Sequence, residues 1–140
     1  MTLFSLNSDI RRNRNTFFIY AGVTIFCVVF GLIYETYSHG VVSFFMLFGF
    51  LFPMILGLAP YSILFITKTQ KGPDTIASYL YNSGVATVSV GSYFKGMLDI
   101  YGTTRDAYVI IYFVVGGVLL LSGLCLYIIS LKKSSATNIK

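Results

Sequence analysis

The chain has 140 residues, of which 56% are hydrophobic and 11% are charged. A soluble domain typically carries about 25% charged residues, so this composition excludes an ordinary water-soluble globular fold. The net charge of +5 does not indicate a nucleic-acid partner, because the basic residues form no patch with interleaved aromatic residues.

Four apolar segments are long enough to cross the hydrocarbon core of a bilayer as helices, which requires roughly 20 residues. They lie at about residues 16-35, 41-66, 75-98 and 107-131. The polar residues 1-15 are interpreted as a cytoplasmic N-terminal segment, and residues 132-140 as a disordered cytoplasmic tail. The sequence therefore predicts an all-α fold, a single integral membrane four-helix bundle.

The distribution of Lys and Arg predicts the orientation of this bundle. Eight of the ten basic residues lie at the termini or between the second and third spans, namely Arg11, Arg12, Arg14, Lys68, Lys71, Lys132, Lys133 and Lys140. The other two, Lys95 and Arg105, lie near the opposite ends of the spans. By the positive-inside rule, both termini are cytoplasmic, and the expected location is the cell membrane with the lipid bilayer as surroundings.

The second span is almost entirely apolar and contains two prolines, Pro53 and Pro60. A proline inside a helix removes one backbone hydrogen bond and displaces a carbonyl group, so both residues are predicted helix kinks. Gly49, Pro53 and Gly57 recur at a four-residue spacing. One side of this span is therefore expected to be thin, so that another backbone can approach it closely.

The third span is the least hydrophobic, and its small and hydrogen-bonding residues recur at a spacing that aligns them on one side of a helix. Membrane helices pack such residues against other helices rather than against lipid. We therefore predict a helix-packing seam that faces the bundle centre and is met by two glycines of the fourth span. Its members are Ser78, Asn82, Gly84, Ser89, Gly91, Ser92, Gly96, Gly116 and Gly123.

Titratable side chains are predicted to gather at the outer membrane surface. This outer cluster consists of Glu35, His39, Lys95, Asp99, Arg105 and Asp106. If the first span continues as a helix to His39, Glu35 and His39 share one face of it. Lys95 and Asp99 have the same four-residue spacing on the third span. Two interpretations stay open: these groups anchor helix ends at the interface, or they form a ligand or partner site. The candidate ion pair is Glu35 with Lys95.

Specific chemistries find little support in the sequence. The single histidine, His39, cannot supply bis-histidine haem ligation, and the isolated Cys27 and Cys125 make neither a metal-ligand spacing nor a disulfide framework. A zinc or manganese site could use His39 and the neighbouring carboxylates, but the spacing is generic. A hydrolase would need a positioned nucleophile, and no such motif is present. We therefore predict no enzyme, no metal site and no cofactor.

Three stretches of the chain carry a resemblance to known proteins. Y-E-T-Y-S-H-G-V-V-S-F-F-M at 34–46, Y-N-S-G-V-A-T-V-S-V-G-S at 81–92 and D-I-Y-G-T-T at 99–104 resemble segments of small four-span membrane proteins of Gram-positive bacteria that have no assigned activity. The resemblance covers most of residues 17 to 130. It implies a bacterial membrane protein, and no catalytic or binding residue follows from it.

The sequence favours an interaction role. The predicted function is that of an accessory, sensory or assembly subunit, which packs its third span and outer cluster against a membrane protein partner or another copy of itself. The alternative is a small oligomeric transporter or channel, in which Glu35, Lys95 and Asp99 control entry. A membrane redox component that binds a quinone or haem near His39 is a third interpretation.

Overall fold

The computed structural model describes residues 3–38, 40–66, 75–103 and 106–137, with the backbone alone at residues 3–10, 106 and 131–137. These residues form five α-helices and one π-helical segment, and no strand occurs among them. The elements are α1 Leu3–Thr36, α2 Phe44–Phe48, the π-helical segment Pro53–Leu58, α3 Ala59–Ile66, α4 Thr75–Ile100 and α5 Asp106–Thr137. The predicted all-α class is confirmed.

Two helix boundaries differ from those expected. Helix α1 begins at Leu3 and runs for 34 residues, so the polar N-terminal segment continues into the first span as one helix. Helix α5 continues to Thr137, so residues 132–137 are helical rather than disordered. No glycine or proline follows Gly123, and the sequence therefore contains no residue that would end this helix earlier.

Three helical stretches are long and apolar enough to cross a membrane: Arg11–Thr36, Phe44–Ile66 and Ala107–Ser130. Helix α4 lies where the third span was predicted and has 26 residues, a sufficient length. It is not among the three, because its hydroxyl-bearing residues together with Lys95 and Asp99 lower its hydropathy. Helix α4 therefore depends on its neighbours for apolar surroundings.

The middle of the chain, Phe44–Ile66, is a broken helix composed of α2, the π-helical segment and α3. It packs against α1 on one side and α4 on the other, and α4 in turn packs against α5. Phe17, near the middle of α1, stacks on Phe65 of α3, and Gly31, near the C-terminal end of α1, approaches the Met46 backbone of α2. These contacts show that the broken helix runs antiparallel to α1.

Helices α4 and α5 approach each other closely along a line of glycines. A Cβ atom at Gly84 would lie 2.9 Å from the carbonyl oxygen of Gly116, and one at Gly123 would lie 2.7 Å from the backbone nitrogen of Tyr81. Neither position has room for a side chain. The two backbones can pack at this distance only because these positions are glycine.

Both prolines lie where the helical hydrogen-bond pattern changes. Pro53 is the first residue of the π-helical segment, and Pro60 is the second residue of α3. The Ala59 N–H donates to the Met54 carbonyl, five residues back, which is the π pattern. The two kinks expected from sequence thus correspond to one π-helical segment that begins at the first proline and ends just before the second, and such segments are frequent at functional sites.

Candidate functional site

The helix-packing seam lies inside the molecule. Its buried members are Ser78, Gly84, Ser89, Gly91, Ser92, Gly96, Gly116 and Gly123, and Asn82 is half-buried. A Cβ atom at Gly91 would lie 2.6 Å from the Cβ atom of Tyr112 in α5. The Ser92 hydroxyl donates to the carbonyl oxygen of Phe45 in α2 at 3.3 Å. The seam is therefore largely occupied by neighbouring helices of the same chain, and a partner protein would need another surface.

Asn82 connects three helices through one oxygen atom. Its side-chain Oδ1 accepts hydrogen bonds from the Tyr20 hydroxyl of α1 at 2.9 Å and from the Tyr61 hydroxyl of α3 at 3.1 Å. The two tyrosine rings stack with centroids 5.7 Å apart. Sequence reasoning placed Asn82 in the seam but missed both tyrosines. The available signal was that a tyrosine hydroxyl deep inside an apolar helix needs a hydrogen-bond partner.

The outer cluster contains one ion pair among the described residues. Lys95 Nζ lies 2.8 Å from Asp99 Oδ1, one helical turn apart on α4, and the two side chains are 20% and 32% exposed. The Ser43 hydroxyl, just before α2, donates to Asp99 Oδ2 at 3.2 Å. Asp99 therefore connects the end of α4 to the start of the broken helix.

Glu35 is the unusual member of this cluster. Both oxygens of its carboxylate are enclosed by the protein, and neither accepts a hydrogen bond from a described residue. The expected partner was Lys95, whereas Lys95 forms an ion pair with Asp99. The Glu35 backbone carbonyl accepts a hydrogen bond from the Ser38 hydroxyl at 2.7 Å. An enclosed carboxylate without a hydrogen-bond donor is costly unless another group compensates its charge.

The chain leaves the helical conformation before it reaches His39. Helix α1 ends at Thr36, and Gly40 has a φ of +90°, a conformation that glycine adopts readily. The condition for a shared helical face of Glu35 and His39, that α1 continues to His39, is therefore not met. Three members of the outer cluster lie outside the described residues, namely His39, Arg105 and the side chain of Asp106. The redox interpretation, which placed a quinone or haem near His39, stays a prediction for the same reason.

A groove of about 770 Å³ separates α1 from α4. It extends from Thr16 and Tyr79 at one end to Phe30 and Met97 at the other, and Pro53 of the broken helix contributes to its lining. Most of the lining is apolar. Sequence reasoning did not anticipate this groove, because it results from the way the broken helix holds α1 and α4 apart.

The described residues thus define an all-helical protein with three helices that are long and apolar enough to cross a membrane. Comparison with protein-family models, with curated proteins and with solved structures gave no match to this chain. The resemblance to four-span proteins of Gram-positive bacteria stays a prediction.

Proposed function

We propose that this chain is a multi-pass protein of the cell membrane, a four-helix bundle with both termini cytoplasmic, which serves as an accessory or assembly subunit of a membrane protein complex. Three apolar helices and the distribution of basic residues support the insertion and its orientation. Helix α4 completes the bundle, because α5 and the broken helix cover its small and polar residues.

The main observation that supports an accessory role is the enclosed carboxylate of Glu35, which has no hydrogen-bond partner among the described residues. Removing an ionised group from water costs several kcal/mol, and the cost is recovered only when a charge or hydrogen-bond donor compensates it. Ionisable groups near the hydrocarbon usually pair and mark contact or ligand sites. A basic or hydrogen-bonding side chain of a partner subunit would supply the donor for Glu35 once the Glu35 side chain changes rotamer, because its oxygens are inaccessible in the chain alone. The Lys95–Asp99 pair would form a polar rim nearby.

Site-specific photo-crosslinking in native membranes tests this role. A photoreactive residue replaces Tyr37, which is 77% exposed and two positions after Glu35, and a second one replaces the exposed Val118 of α5 as the control. We expect a protein adduct at position 37 and only lipid adducts at position 118. In the Glu35→Gln background the adduct at 37 is expected to fall more than about tenfold, because one member of a charge pair is lost.

Thr36→Val provides the matched control, since it alters the neighbouring residue without changing charge and is expected to leave the adduct intact. An adduct whose yield is the same in Glu35→Gln as in the parent protein would refute a partner contact at this carboxylate. An adduct with the mass of two identical chains identifies another copy of the protein as the partner.

A transporter or channel is the second candidate, and the same carboxylate favours it, because a permeating cation that reached Glu35 would also compensate its charge. Purified protein in liposomes would then move a cation across the bilayer. Glu35→Gln and Asp99→Asn would each abolish this flux while the protein remained folded. Flux that survives both substitutions contradicts this candidate, and silent liposomes together with the position 37 adduct favour the accessory role.

A further inference from the structure

The groove between α1 and α4 has a cationic end. Arg12 Nη1 donates to the Thr75 hydroxyl at 3.1 Å, so the two helices are bridged there. Arg12 lies one helical turn before Thr16, whose hydroxyl donates to the Arg12 carbonyl at 3.0 Å, and Thr75 lies one turn before Tyr79 on α4. Since Thr16 and Tyr79 begin the groove lining, the guanidinium of Arg12 lies at its mouth.

The groove has the length and the surface of a hydrocarbon site. From Thr16 to Phe30, α1 rises about 21 Å, a large part of the roughly 30 Å hydrocarbon core. Polar side chains of the groove lining form hydrogen bonds within the chain. The Tyr20 hydroxyl donates to Asn82, and the Ser89 hydroxyl donates to the Val85 carbonyl at 2.7 Å. The surface that remains for an occupant is mainly apolar.

The dimensions of the groove suit an acyl chain. Its volume of about 770 Å³ extends along α1 and α4 from Thr16 to Met97. An extended acyl chain is much thinner than a helix and can lie between α1 and α4 without moving them.

The charge at the mouth selects the headgroup. Arg11, Arg12 and Arg14 lie within one helical turn on α1, and each carries one positive charge. Basic pockets between membrane helices on the cytoplasmic side attract anionic lipid headgroups.

We propose that an anionic phospholipid occupies this groove, with one acyl chain between α1 and α4 and its phosphate at Arg12. The inference rests on the membrane insertion proposed above and does not depend on the partner role of Glu35. The groove would bind a phosphate group joined to a hydrocarbon chain. Free inorganic phosphate offers only the phosphate group.

Tryptophan fluorescence tests this site directly, because the chain contains no Trp. Phe26→Trp introduces a reporter at a groove residue that is 67% exposed, and Leu121→Trp introduces one on the exposed surface of α5. Each variant is reconstituted in vesicles of phosphatidylglycerol and phosphatidylcholine, with one lipid at a time carrying brominated chains that quench Trp.

At position 26 we expect brominated phosphatidylglycerol to quench with about fivefold preference over brominated phosphatidylcholine, the effect of one basic residue near an anionic headgroup. At position 121 no preference is expected.

Arg12→Gln should bring the ratio of quenching by the two lipids at position 26 close to one. The matched Arg14→Gln removes the same charge from an exposed position and should preserve the preference. Ala86→Phe, which narrows the groove, should reduce quenching by both lipids.

Other outcomes overturn the proposal in distinguishable ways. Equal quenching by the two lipids at position 26, or a preference that survives Arg12→Gln, removes the headgroup assignment. Displacement of the lipid by millimolar inorganic phosphate makes the site one for free phosphate. Quenching at position 121 but none at position 26 means that protein fills the groove. Absence of quenching at both positions refutes membrane insertion itself, whereas the position 37 crosslink separately tests the Glu35 contact.

Discussion

Tyr81 supplies a hydrogen bond that the backbone of the broken helix cannot make. In an α-helix, the N–H of residue 60 would donate to the carbonyl of Leu56, but Pro60 has no N–H. The Tyr81 hydroxyl of α4 donates to that carbonyl instead, at 2.7 Å. The proline and the tyrosine therefore depend on each other, although they lie on different helices.

Tyr81→Phe is expected to lower the free energy of unfolding by about 1 to 2 kcal/mol, because the Leu56 carbonyl loses its donor in apolar surroundings. In the Pro60→Ala background the loss should be about half as large or less, since an N–H at position 60 can reach the same carbonyl. Unfolding in mixed micelles, followed by far-ultraviolet circular dichroism, measures both values. The exposed Tyr79 provides the control, because Tyr79→Phe should have no effect. Additive losses from Tyr81→Phe and Pro60→Ala would contradict the proposed coupling.

Sequence patterns at the residue scale reveal which residues of one helix share a face, and they do not reveal which residue of another helix they meet. The spacing of Ser92 and Gly96 therefore predicted a seam, and both residues are buried. The same reasoning paired Glu35 with Lys95, whereas Lys95 forms its ion pair with Asp99, four residues further on its own helix. That choice depends on side-chain positions that only the packed structure determines.

Two neighbouring glycines of α5 have different environments. A Cβ atom at Gly116 would lie 3.1 Å from the Val88 backbone nitrogen and 3.2 Å from the Gly84 carbonyl oxygen, whereas one at Gly117 would have no atom within 4 Å. The adjacent positions have the same helix propensity. They therefore separate the effect of close packing between α4 and α5 from the effect of replacing glycine in a helix.

Gly116→Ala is expected to lower the free energy of unfolding by about 1 to 3 kcal/mol, because the added methyl group pushes α4 and α5 apart. Gly117→Ala should be neutral or stabilise the protein by up to about 1 kcal/mol, since alanine is the better helix former. The same circular dichroism titration compares the two variants. Equal effects would show that α4 and α5 do not pack as described.

The end of α1 at Thr36, the end of α4 at Ile100 and the start of α5 at Asp106 lie close to the boundaries predicted from sequence. Long apolar runs indicate α1 and α5, and the spacing of small and hydroxyl-bearing residues indicates α4. The break in Phe44–Ile66 could be placed only at its prolines, since the π-helical segment also receives a hydrogen bond from Tyr81 of α4, which the sequence of the segment does not indicate. The groove between α1 and α4 lay beyond any sequence pattern. It exists because the broken helix contacts both neighbours and leaves a gap between them.

The proposed orientation of the whole molecule depends on where its charges lie. Eight basic residues belong to the side of the termini and two to the other side, and the positive-inside rule assigns the basic side to the cytoplasm. Helices α1 and α4 run in the same direction, as the Arg12–Thr75 and Tyr20–Asn82 hydrogen bonds show. In the proposed orientation, the arginines lie at the cytoplasmic leaflet and Glu35 lies at the outer surface.

Cysteine labelling checks this orientation in intact cells. In a background with Cys27→Ala and Cys125→Ser, single cysteines replace the exposed Tyr37, Tyr101 or Asn15. A membrane-impermeant maleimide should label positions 37 and 101 in intact cells and position 15 only after permeabilisation. The reason is that α1 rises about 32 Å between residues 15 and 36, enough to cross the roughly 30 Å hydrocarbon core. The reverse pattern would place the Arg12 end of the groove in the outer leaflet. It would also turn the Glu35 end toward the cytoplasm, so that any partner would have to reach it from there.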